Sequence, residues 1–130
     1  MIKLSQNKAL EYARRLKYNE QGLIPAIVQD ESGKLLMMAY MDSEAVQRTL
    51  ISGQMWYYSR SRNKYWLKGE TSGHFQEVLA VYRDCDIDTL LFTVKQTGWA
   101  CHEDYYTCFH YQLNADGTET VIGEVLKEEE

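Results

Sequence analysis

The sequence predicts an α+β fold, with a compact mixed or antiparallel sheet and one or two helices packed on it. Apolar runs of strand length recur along most of the chain and are separated by turn residues. Segments with helical periodicity are fewer and lie in the first half, at residues 5–19 and after residue 42. No internal repeat or domain boundary is evident, so we expect residues 1–130 to form one domain with its core at about 22–113.

The first helix is predicted from an apolar face on residues 5–19, with Ser5 as its N-cap. Two strands follow, at residues 24–29 and 34–41, on either side of a turn that ends in glycine. Both strands are apolar on both faces, so this hairpin is expected to be deeply buried.

The second helix has a clear start, because Asp42 or Ser43 can serve as its N-cap and Glu44 suits the positive end of the helix dipole. Gly53 is expected to end it. The rest of the chain is predicted to contain strands at residues 55–61, 75–83, 89–96, 109–113 and 121–126, a loop at 69–73, a turn at 114–117 and a frayed tail at 127–130.

Composition and charge limit the possible functions. The formal net charge of -5 argues against a general nucleic-acid-binding protein. No apolar run approaches the roughly 20 residues of a membrane span, and the N-terminus lacks the apolar core of a secretory signal. We therefore expect a cytoplasmic protein without membrane partners. Three cysteines in such a chain disfavour a disulfide framework and favour metal ligands or buried small residues.

Residues 84–88 read Asp-Cys-Asp-Ile-Asp, with a carboxylate at every second position. On an extended backbone, Asp84, Asp86 and Asp88 would crowd one face. Cys85 would point to the other face. Crowded carboxylates raise one another's pKa unless a cation lies among them. The segment is therefore interpreted as a hard oxygen site for Mg²⁺ or Ca²⁺ beside a soft thiolate for zinc.

Two other interpretations of the acidic segment are a solvated turn and an EF-hand loop. The solvated turn stays open as an alternative. The EF-hand is excluded because the sixth and twelfth loop positions are Thr89 and Lys95, where such a loop needs Gly and Glu.

Cys101 and Cys108 are spaced too widely for a zinc-ribbon pair, but His102 follows Cys101 directly. Together with Cys85, these two cysteines would give zinc three protein ligands and leave its fourth tetrahedral position open, which is the pattern of a catalytic site. His102 is then either a fourth ligand or an acid or base beside the metal. The alternatives are buried small cysteines, a structural zinc module closed by His102, and a redox sensor.

The Ser-Arg-Ser-Arg stretch that contains Arg60 and Arg62 is expected to continue a strand, with both arginines on one face. Arginine forks suit phosphate oxygens, and Lys68 lies nearby in the sequence. The glycine-flanked loop that contains Ser72 could add donors. The alternative is a solvated basic strand edge.

Several motifs together resemble phosphoribosyl-AMP cyclohydrolase, the histidine-biosynthesis enzyme that opens the adenine ring of phosphoribosyl-AMP. They occur in order between about residues 22 and 110. They are GLIPAIVQD at 22–30, LMMAYM at 36–41, YYSRSR at 57–62, WLKGETSG at 66–73, DCDID at 84–88, ACH at 100–102 and CF at 108–109.

The resemblance implies that Cys85 binds zinc together with the partner subunit's Cys101 and the partner subunit's Cys108, and that the three aspartates bind magnesium. It therefore implies an intertwined homodimer with Zn²⁺ and Mg²⁺ in each subunit at the interface. For the implied reaction, His102 is the candidate proton carrier. Magnesium is expected to hold the two phosphate groups of the small-molecule substrate together with Arg60, Arg62 and Lys68, and Ser72 is a further expected substrate-binding residue.

The implied reaction is zinc-dependent hydrolysis of the N1–C6 bond of the adenine ring, which gives the phosphoribosylformimino carboxamide ribotide. Substitution at N1 makes C6 electron-poor, and zinc deaminases attack the same carbon. A nucleoside deaminase is disfavoured because the sequence lacks the H-x-E and P-C-x-x-C signature of that class. Glu103, Asp104 and His74 depart from the family's pattern, which affects the expected substrate contacts and not the metal ligands.

Overall fold

The computed structural model describes residues 1–127, and this part of the chain contains two helices and eight strands. In chain order they are α1 (Gln6–Arg15), β1 (Ile24–Gln29), β2 (Leu35–Met41), α2 (Ser43–Ser52), β3 (Trp56–Ser59), β4 (Lys64–Leu67), β5 (Gln76–Arg83), β6 (Leu90–Gln96), β7 (Tyr111–Leu113) and β8 (Glu119–Val121). Most of the predicted tail, residues 128–130, lies outside the described residues. Over residues 1–127, neither helix has the length and hydropathy that a membrane span requires.

Four strands form a central sheet in the order β2-β1-β6-β5. β1 runs parallel to β6 and antiparallel to β2, and β5 runs antiparallel to β6, so the sheet is mixed. β3 pairs with β4, and β7 pairs with β8, as separate antiparallel hairpins. Together with the two helices, this arrangement confirms the predicted α+β class.

Both helices begin at predicted caps. The Ser5 hydroxyl accepts a hydrogen bond from the Lys8 amide at 3.3 Å. The Asp42 carboxylate accepts one from the Ala45 amide at 2.8 Å. Gly53 ends α2 at a φ of 77°, a left-handed conformation that glycine adopts without steric penalty. Local capping chemistry therefore sets these helix ends as the sequence indicates.

α1 is shorter than predicted and ends at Arg15 instead of residue 19. Leu16 has extended backbone angles, and the Lys17 amide donates to the Ile87 carbonyl at 2.8 Å. This tertiary hydrogen bond ties the chain after α1 to the turn that follows β5. Helical periodicity alone does not reveal such a contact.

The hydrophobic core joins the central sheet to both helices. Ala9 and Ala13 of α1 are buried in one cluster with Val46 and Leu50 of α2 and with Phe92 of β6. Burying a large apolar side chain contributes about 1.5–3 kcal/mol to folding. This cluster therefore stabilises the framework on which the functional loops are mounted.

The chain turns at residues 60–63 into β4, a strand that the sequence analysis did not predict. Arg60 and Arg62 lie in this turn, so the prediction that they continue one strand is wrong. Asn63 has a φ of 52°, a left-handed conformation that asparagine tolerates better than most residues. Its side chain also accepts a hydrogen bond from the Tyr58 hydroxyl. Turn chemistry at the hairpin tip therefore outweighs the strand-like composition.

The acidic segment at residues 84–88 is a turn between β5 and β6, and not the extended stretch considered above. The Asp84 amide donates to the Thr89 carbonyl at 3.0 Å, and the Asp88 amide donates to the Asp84 carboxylate at 3.1 Å. Ile87 has a φ of 63°, which an extended strand does not allow. The alternation of faces expected of a strand therefore does not apply here.

β7 and β8 enclose the predicted turn at residues 114–117, which a backbone hydrogen bond of 3.0 Å closes. The strand predicted at residues 121–126 is wrong, because β8 ends at Val121. Beyond it, the amides of Ile122 and Leu126 donate to backbone carbonyls of the loop that precedes β7, at 2.7 and 2.6 Å. The last described segment is therefore held by that loop and not by a sheet.

β2 is an edge strand of the central sheet, and its burial is one-sided. Leu36 and Met41 are fully buried, whereas Leu35 is 49% and Met38 is 45% exposed. The prediction of deep burial on both faces is therefore wrong for a single chain. An apolar strip remains at the sheet edge next to the functional loop described below.

The α2 cap provides a test of the framework. Asp42 caps α2 and also accepts a hydrogen bond from the Tyr65 hydroxyl of β4 at 2.5 Å. Asp42→Ala removes both partners and should lower the free energy of unfolding by about 1–2 kcal/mol in urea titrations. Ser5→Ala is the matched control, because it removes the exposed and longer cap hydrogen bond of α1. It should lower the free energy of unfolding by about 0.5 kcal/mol. Equal losses in the two variants would contradict the role given to the Tyr65 contact.

Candidate active site

The cysteine loop, defined as residues 97–110, brings two thiols together. The Ala100 amide donates to the Tyr106 carbonyl, and the Cys101 amide donates to the Tyr105 carbonyl, both at 3.1 Å. These bonds fold the loop back on itself. The thiols of Cys101 and Cys108 consequently lie close enough for Cys101 to raise the pKa of Cys108. Both cysteines, like Cys85, are free thiols.

The cysteine loop is attached to the edge of β2. The Cys108 amide donates to the Leu36 carbonyl at 2.7 Å. The Thr107 hydroxyl donates to the Leu35 carbonyl, also at 2.7 Å. Because β2 lies at the sheet edge, its backbone carbonyls are free to accept these bonds. The position of Cys108 is therefore fixed by the central sheet.

A tyrosine fastens the same loop to the β1–β2 turn. The Tyr106 hydroxyl donates to the Asp30 carboxylate at 2.7 Å. Desolvation raises the pKa of Asp30, but hydrogen bonds from Ser32, Tyr106 and the Lys34 amide outweigh it and lower that pKa to about 2. Asp30 therefore stays ionised at neutral pH and keeps this attachment.

Lys68 provides the positive charge beside the thiol pair. Its ammonium group donates to the Ala100 carbonyl at 2.5 Å and interacts electrostatically with Cys101 and Cys108. Burial raises the pKa of Cys108 to about 11, and the neighbouring Cys101 adds to that rise. Lys68 acts in the opposite direction and lowers the pKa of Cys108. The lysine therefore favours the thiolate form that a metal ion requires.

A cleft of about 490 Å³ leads from the tip of the β3–β4 hairpin to Lys68. Three of the predicted phosphate-binding residues, Arg62, Lys68 and Ser72, line it. The other lining residues are Ser59, Ser61, Lys64, Trp66, Leu67, Gly69, Glu70 and Thr71. The structure therefore joins a basic, hydroxyl-rich cleft to the thiol pair through one lysine.

Arg60 is the exception among the predicted phosphate-binding residues. Its guanidinium group lies over the Tyr40 ring, 4.3 Å from the ring centroid, and it is not among the residues that line the cleft. A cation over an aromatic face is a stable arrangement without any ligand. The hairpin turn therefore separates Arg60 from Arg62.

The acidic turn brings the carboxylate oxygens of Asp84, Asp86 and Asp88 within 4.8 Å of one another. A hydrogen bond with Asp84 raises the pKa of Asp88, and the charges of Asp84 and Asp86 raise it further. Oxygen ligands in such a group suit a hard cation, which would relieve the repulsion. The predicted grouping of the three aspartates is confirmed, although a turn produces it.

Cys85 is exposed in the acidic turn, away from the other two cysteines. Within residues 1–127, the groups of three or more potential ligands do not combine Cys85 with Cys101 or Cys108. His102 is exposed next to Cys101 and belongs to neither such group in that part of the chain. A single chain therefore supplies two of the three expected zinc thiolates at one place.

His110 is a residue of this site that was not predicted from the sequence. It is 1% exposed, and its Nε2 lies 3.1 Å from the Glu103 carboxylate. Its Nδ1 lies 2.9 Å from the Thr107 carbonyl oxygen. The sequence feature that could have indicated it is the position of Glu103 and His110, two ionisable residues, on either side of Cys108 in the chain.

His74, noted above as a departure from the family's pattern, is 9% exposed and packs against Trp99, with ring centroids 4.1 Å apart. It also covers Gly98, where an added Cβ would lie 2.4 Å from the imidazole ring. Gly98 has a φ of 63°, so both sterics and backbone conformation favour glycine there. His74 therefore supports the entry to the cysteine loop.

Comparisons with known proteins agree with this site. A family model described as Phosphoribosyl-AMP cyclohydrolase matches residues 37–110, which include the cleft, the acidic turn and the cysteine loop. Relatives with that name include a protein of Pelotomaculum thermopropionicum, 61% identical over 110 residues, covering 84% of this chain and 85% of the relative. Another, from Methanococcus maripaludis, is 52% identical over 105 residues, covering 80% and 81%. A third, from Chlorobium phaeovibrioides, is 48% identical over 118 residues, covering 88% and 86%.

These matches place the chain among hydrolytic enzymes. The relatives match over most of the chain, and the range of the family model contains all three cysteines and the three aspartates of the acidic turn. The chain belongs to the phosphoribosyl-AMP cyclohydrolase family.

The lysine beside the thiol pair can be tested in metal-free protein. Lys68→Met removes the cation that lowers the pKa of Cys108, so that pKa should rise above its value of about 11. A rise of about one unit lowers the thiolate fraction about tenfold. Site-resolved mass spectrometry should then show slower alkylation of Cys108 by iodoacetamide.

Cys85 is the internal control for this measurement, because it is exposed and lies in another turn. Its alkylation rate should stay unchanged. Lys64→Met, which removes a different cation of the cleft, should leave the rate at Cys108 within about twofold. An unchanged Cys108 rate in Lys68→Met would show that the lysine does not act on the thiol.

Proposed function

We propose that this protein hydrolyses the N1–C6 bond of the adenine ring of phosphoribosyl-AMP, with zinc as its catalytic metal, and releases the phosphoribosylformimino carboxamide ribotide of histidine biosynthesis. The observation that supports this most is the thiol pair of Cys101 and Cys108 at the end of a basic cleft. Family membership supplies the substrate class. The cleft supplies donors for phosphate at a distance from the thiols.

The donor atoms fit the proposed zinc ion. Cys101 and Cys108 supply two neighbouring sulfur ligands, the ligand type that zinc prefers. Cys85 lies elsewhere in the same chain, so a third thiolate would come from Cys85 of the partner subunit. Bound zinc would supply Lewis acidity that makes water nucleophilic near neutral pH. The aspartates of the acidic turn would hold Mg²⁺.

A homodimer is part of this proposal. The cysteine loop lies beside an apolar strip on one chain, with Leu35 and Met38 half-exposed and Phe109 58% exposed. Apolar side chains exposed at a sheet edge favour pairing with another surface. Covering this strip with a second copy would bury it, and shared zinc binding requires that the same contact bring a second acidic turn to the thiol pair.

Residues of the cleft have separate tasks in this reaction. Arg62 and Ser72 would bind phosphate oxygens and orient the substrate, because their donors lie away from the thiols. Lys68 would favour the thiolate form of Cys108 by lowering its pKa. His102, exposed beside Cys101, would carry the proton released from water. Arg60 would reach the substrate only after leaving the Tyr40 ring.

The bond changes balance without a further reactant. A water oxygen bonds to C6, and the C6–N1 bond breaks. One water proton moves through a base to N1, and the other moves to the exocyclic imino nitrogen, so C6 becomes a carboxamide that keeps this nitrogen as its NH2 group. N1 stays bonded to C2 and becomes part of the formimino group. Zinc deaminases attack the same carbon but expel the exocyclic nitrogen instead.

Purified protein should convert phosphoribosyl-AMP to a product heavier by one water, followed by ultraviolet absorbance and mass spectrometry. Cys101→Ser and Cys108→Ser should each lose zinc and at least about a hundredfold in turnover, because a hydroxyl is a much weaker zinc ligand than a thiolate. Thr118→Ser, in the distant β7–β8 hairpin, is a matched control that should keep both zinc and turnover. Near-native turnover by zinc-free Cys101→Ser protein would rule out the proposed mechanism.

A further inference from the structure

Cys101, Glu103 and His110 form a second group of potential ligands, apart from the three aspartates. One sulfur, one carboxylate oxygen and one imidazole nitrogen all lie within 4.8 Å of one another. We propose that these residues form a metal site within a single chain, suited to zinc or a similar borderline divalent ion. Imidazole, carboxylate and thiolate are the ligand types that such ions take. The site shares Cys101 with the three-cysteine site proposed above.

The hydrogen bonding of the His110 ring supports metal binding independently of the distances within the group. Its Nδ1 lies 2.9 Å from the Thr107 carbonyl oxygen, which can only accept, so Nδ1 carries a proton. In the neutral ring, Nε2 then has a lone pair. That lone pair faces the Glu103 carboxylate oxygen at 3.1 Å. Two acceptors at this distance need either a proton or a metal ion between them.

The Thr107 contact is also typical of histidines that bind metal ions. Such a histidine almost always donates its other ring N–H to a carbonyl or carboxylate, which fixes the ring orientation. The His110 ring is held further by Tyr105, stacked at 3.9 Å between ring centroids with an interplanar angle of 11°. His110 is 1% exposed, so its Nε2 is directed by the surrounding packing. The nitrogen is thereby positioned before any metal ion binds.

The other two ligands are also oriented. The Glu103 amide donates to the Cys101 sulfur at 3.4 Å, which holds the sulfur beside the Glu103 backbone. The Tyr111 hydroxyl donates to the same Glu103 oxygen that faces His110, at 3.2 Å. The Glu103 side chain is 46% exposed, so a metal ion can reach the group from solvent.

A proton on Nε2 is the alternative to a metal ion. It would make His110 and Glu103 an ordinary ion pair across the loop. That interpretation explains the 3.1 Å contact but gives no role to the nearby Cys101 sulfur. The groups facing the pair are Tyr105, Tyr111 and Cys101. Metal binding accounts for all three donor atoms together. The two interpretations can be distinguished because only the metal site predicts that these residues bind a metal ion.

The proposed site goes beyond the cyclohydrolase reaction and does not depend on it. Glu103 is a departure from the family's pattern, so resemblance to the family does not supply this ligand set. Because Cys101 belongs to both sets, one metal ion would occupy one set at a time. The single-chain set would hold the ion until a partner subunit brings Cys85 to the thiol pair.

The test uses Co²⁺ as a spectroscopic substitute for zinc in the Cys85→Ser/Cys108→Ser double variant, which keeps only Cys101. We expect one Co²⁺ per chain with the visible bands of a tetrahedral ion and a charge-transfer band of a single thiolate, a spectrum that Co²⁺ bound only by the oxygens of the acidic turn would not give. Adding Glu103→Gln or His110→Gln should weaken Co²⁺ affinity about tenfold or more. Glu124→Gln, an exposed glutamate in the segment after β8, is the matched control and should leave affinity unchanged.

Absence of Co²⁺ binding by the folded double variant would overturn the proposal. The proposal would also be overturned if His110→Gln and Glu103→Gln left the Co²⁺ affinity unchanged, a result that would favour the ion pair. If the double variant does not fold by circular dichroism, Cys85→Ser alone decides, because Cys85 is exposed and tolerates serine. In the Cys85→Ser variant, adding His110→Gln should still weaken Co²⁺ binding about tenfold or more. Phosphoribosyl-AMP turnover by the unmodified protein is a separate readout, so the two proposals can fail independently.

Discussion

Two neighbouring thiols beside one ammonium group are the constraint on which the rest of this structure depends. Burial and the neighbouring Cys101 raise the pKa of Cys108 to about 11. A nearby cation lowers that pKa. Lys68 supplies one such charge, and the arrangement is suited to a metal ion as the second. The loop, the sheet edge and the cleft all serve to hold these groups in place.

The sheet edge is what makes the arrangement rigid. The cysteine loop contacts β2 through hydrogen bonds to Leu35 and Leu36, and a strand inside the sheet would have no free carbonyls to offer. The same choice leaves apolar side chains of β2 exposed in one chain. Catalytic rigidity and the proposed dimer therefore have one structural origin.

Local signals in the sequence predicted much of the framework. Ser5, Asp42 and Gly53 were correctly predicted as helix ends, because capping depends on the residue itself and on its immediate neighbours. The β1–β2 hairpin and the grouping of the three aspartates were also predicted correctly. The motif resemblance led to the right family, because several short motifs in order are more specific than any one of them.

The contacts that depend on distant residues could not be predicted in the same way. Lys68 was expected among phosphate ligands, yet its ammonium group lies beside thiols more than thirty positions later in the chain. The pairing of Glu103 with His110 depends on how the loop closes, which no periodicity reveals. The β3–β4 turn depends on a left-handed Asn63 that strand-like neighbours conceal.

The central claim is that the thiol pair of one chain is completed by Cys85 of another. The most direct measurement is the activity of a heterodimer built from one Cys85→Ala and one Cys101→Ala subunit, purified through two different tags. Each homodimer should be inactive, whereas the heterodimer keeps one intact site and should recover about half of the native activity. A heterodimer that is folded, dimeric and inactive would contradict the claim, because it would mean that each chain must hold its own complete site.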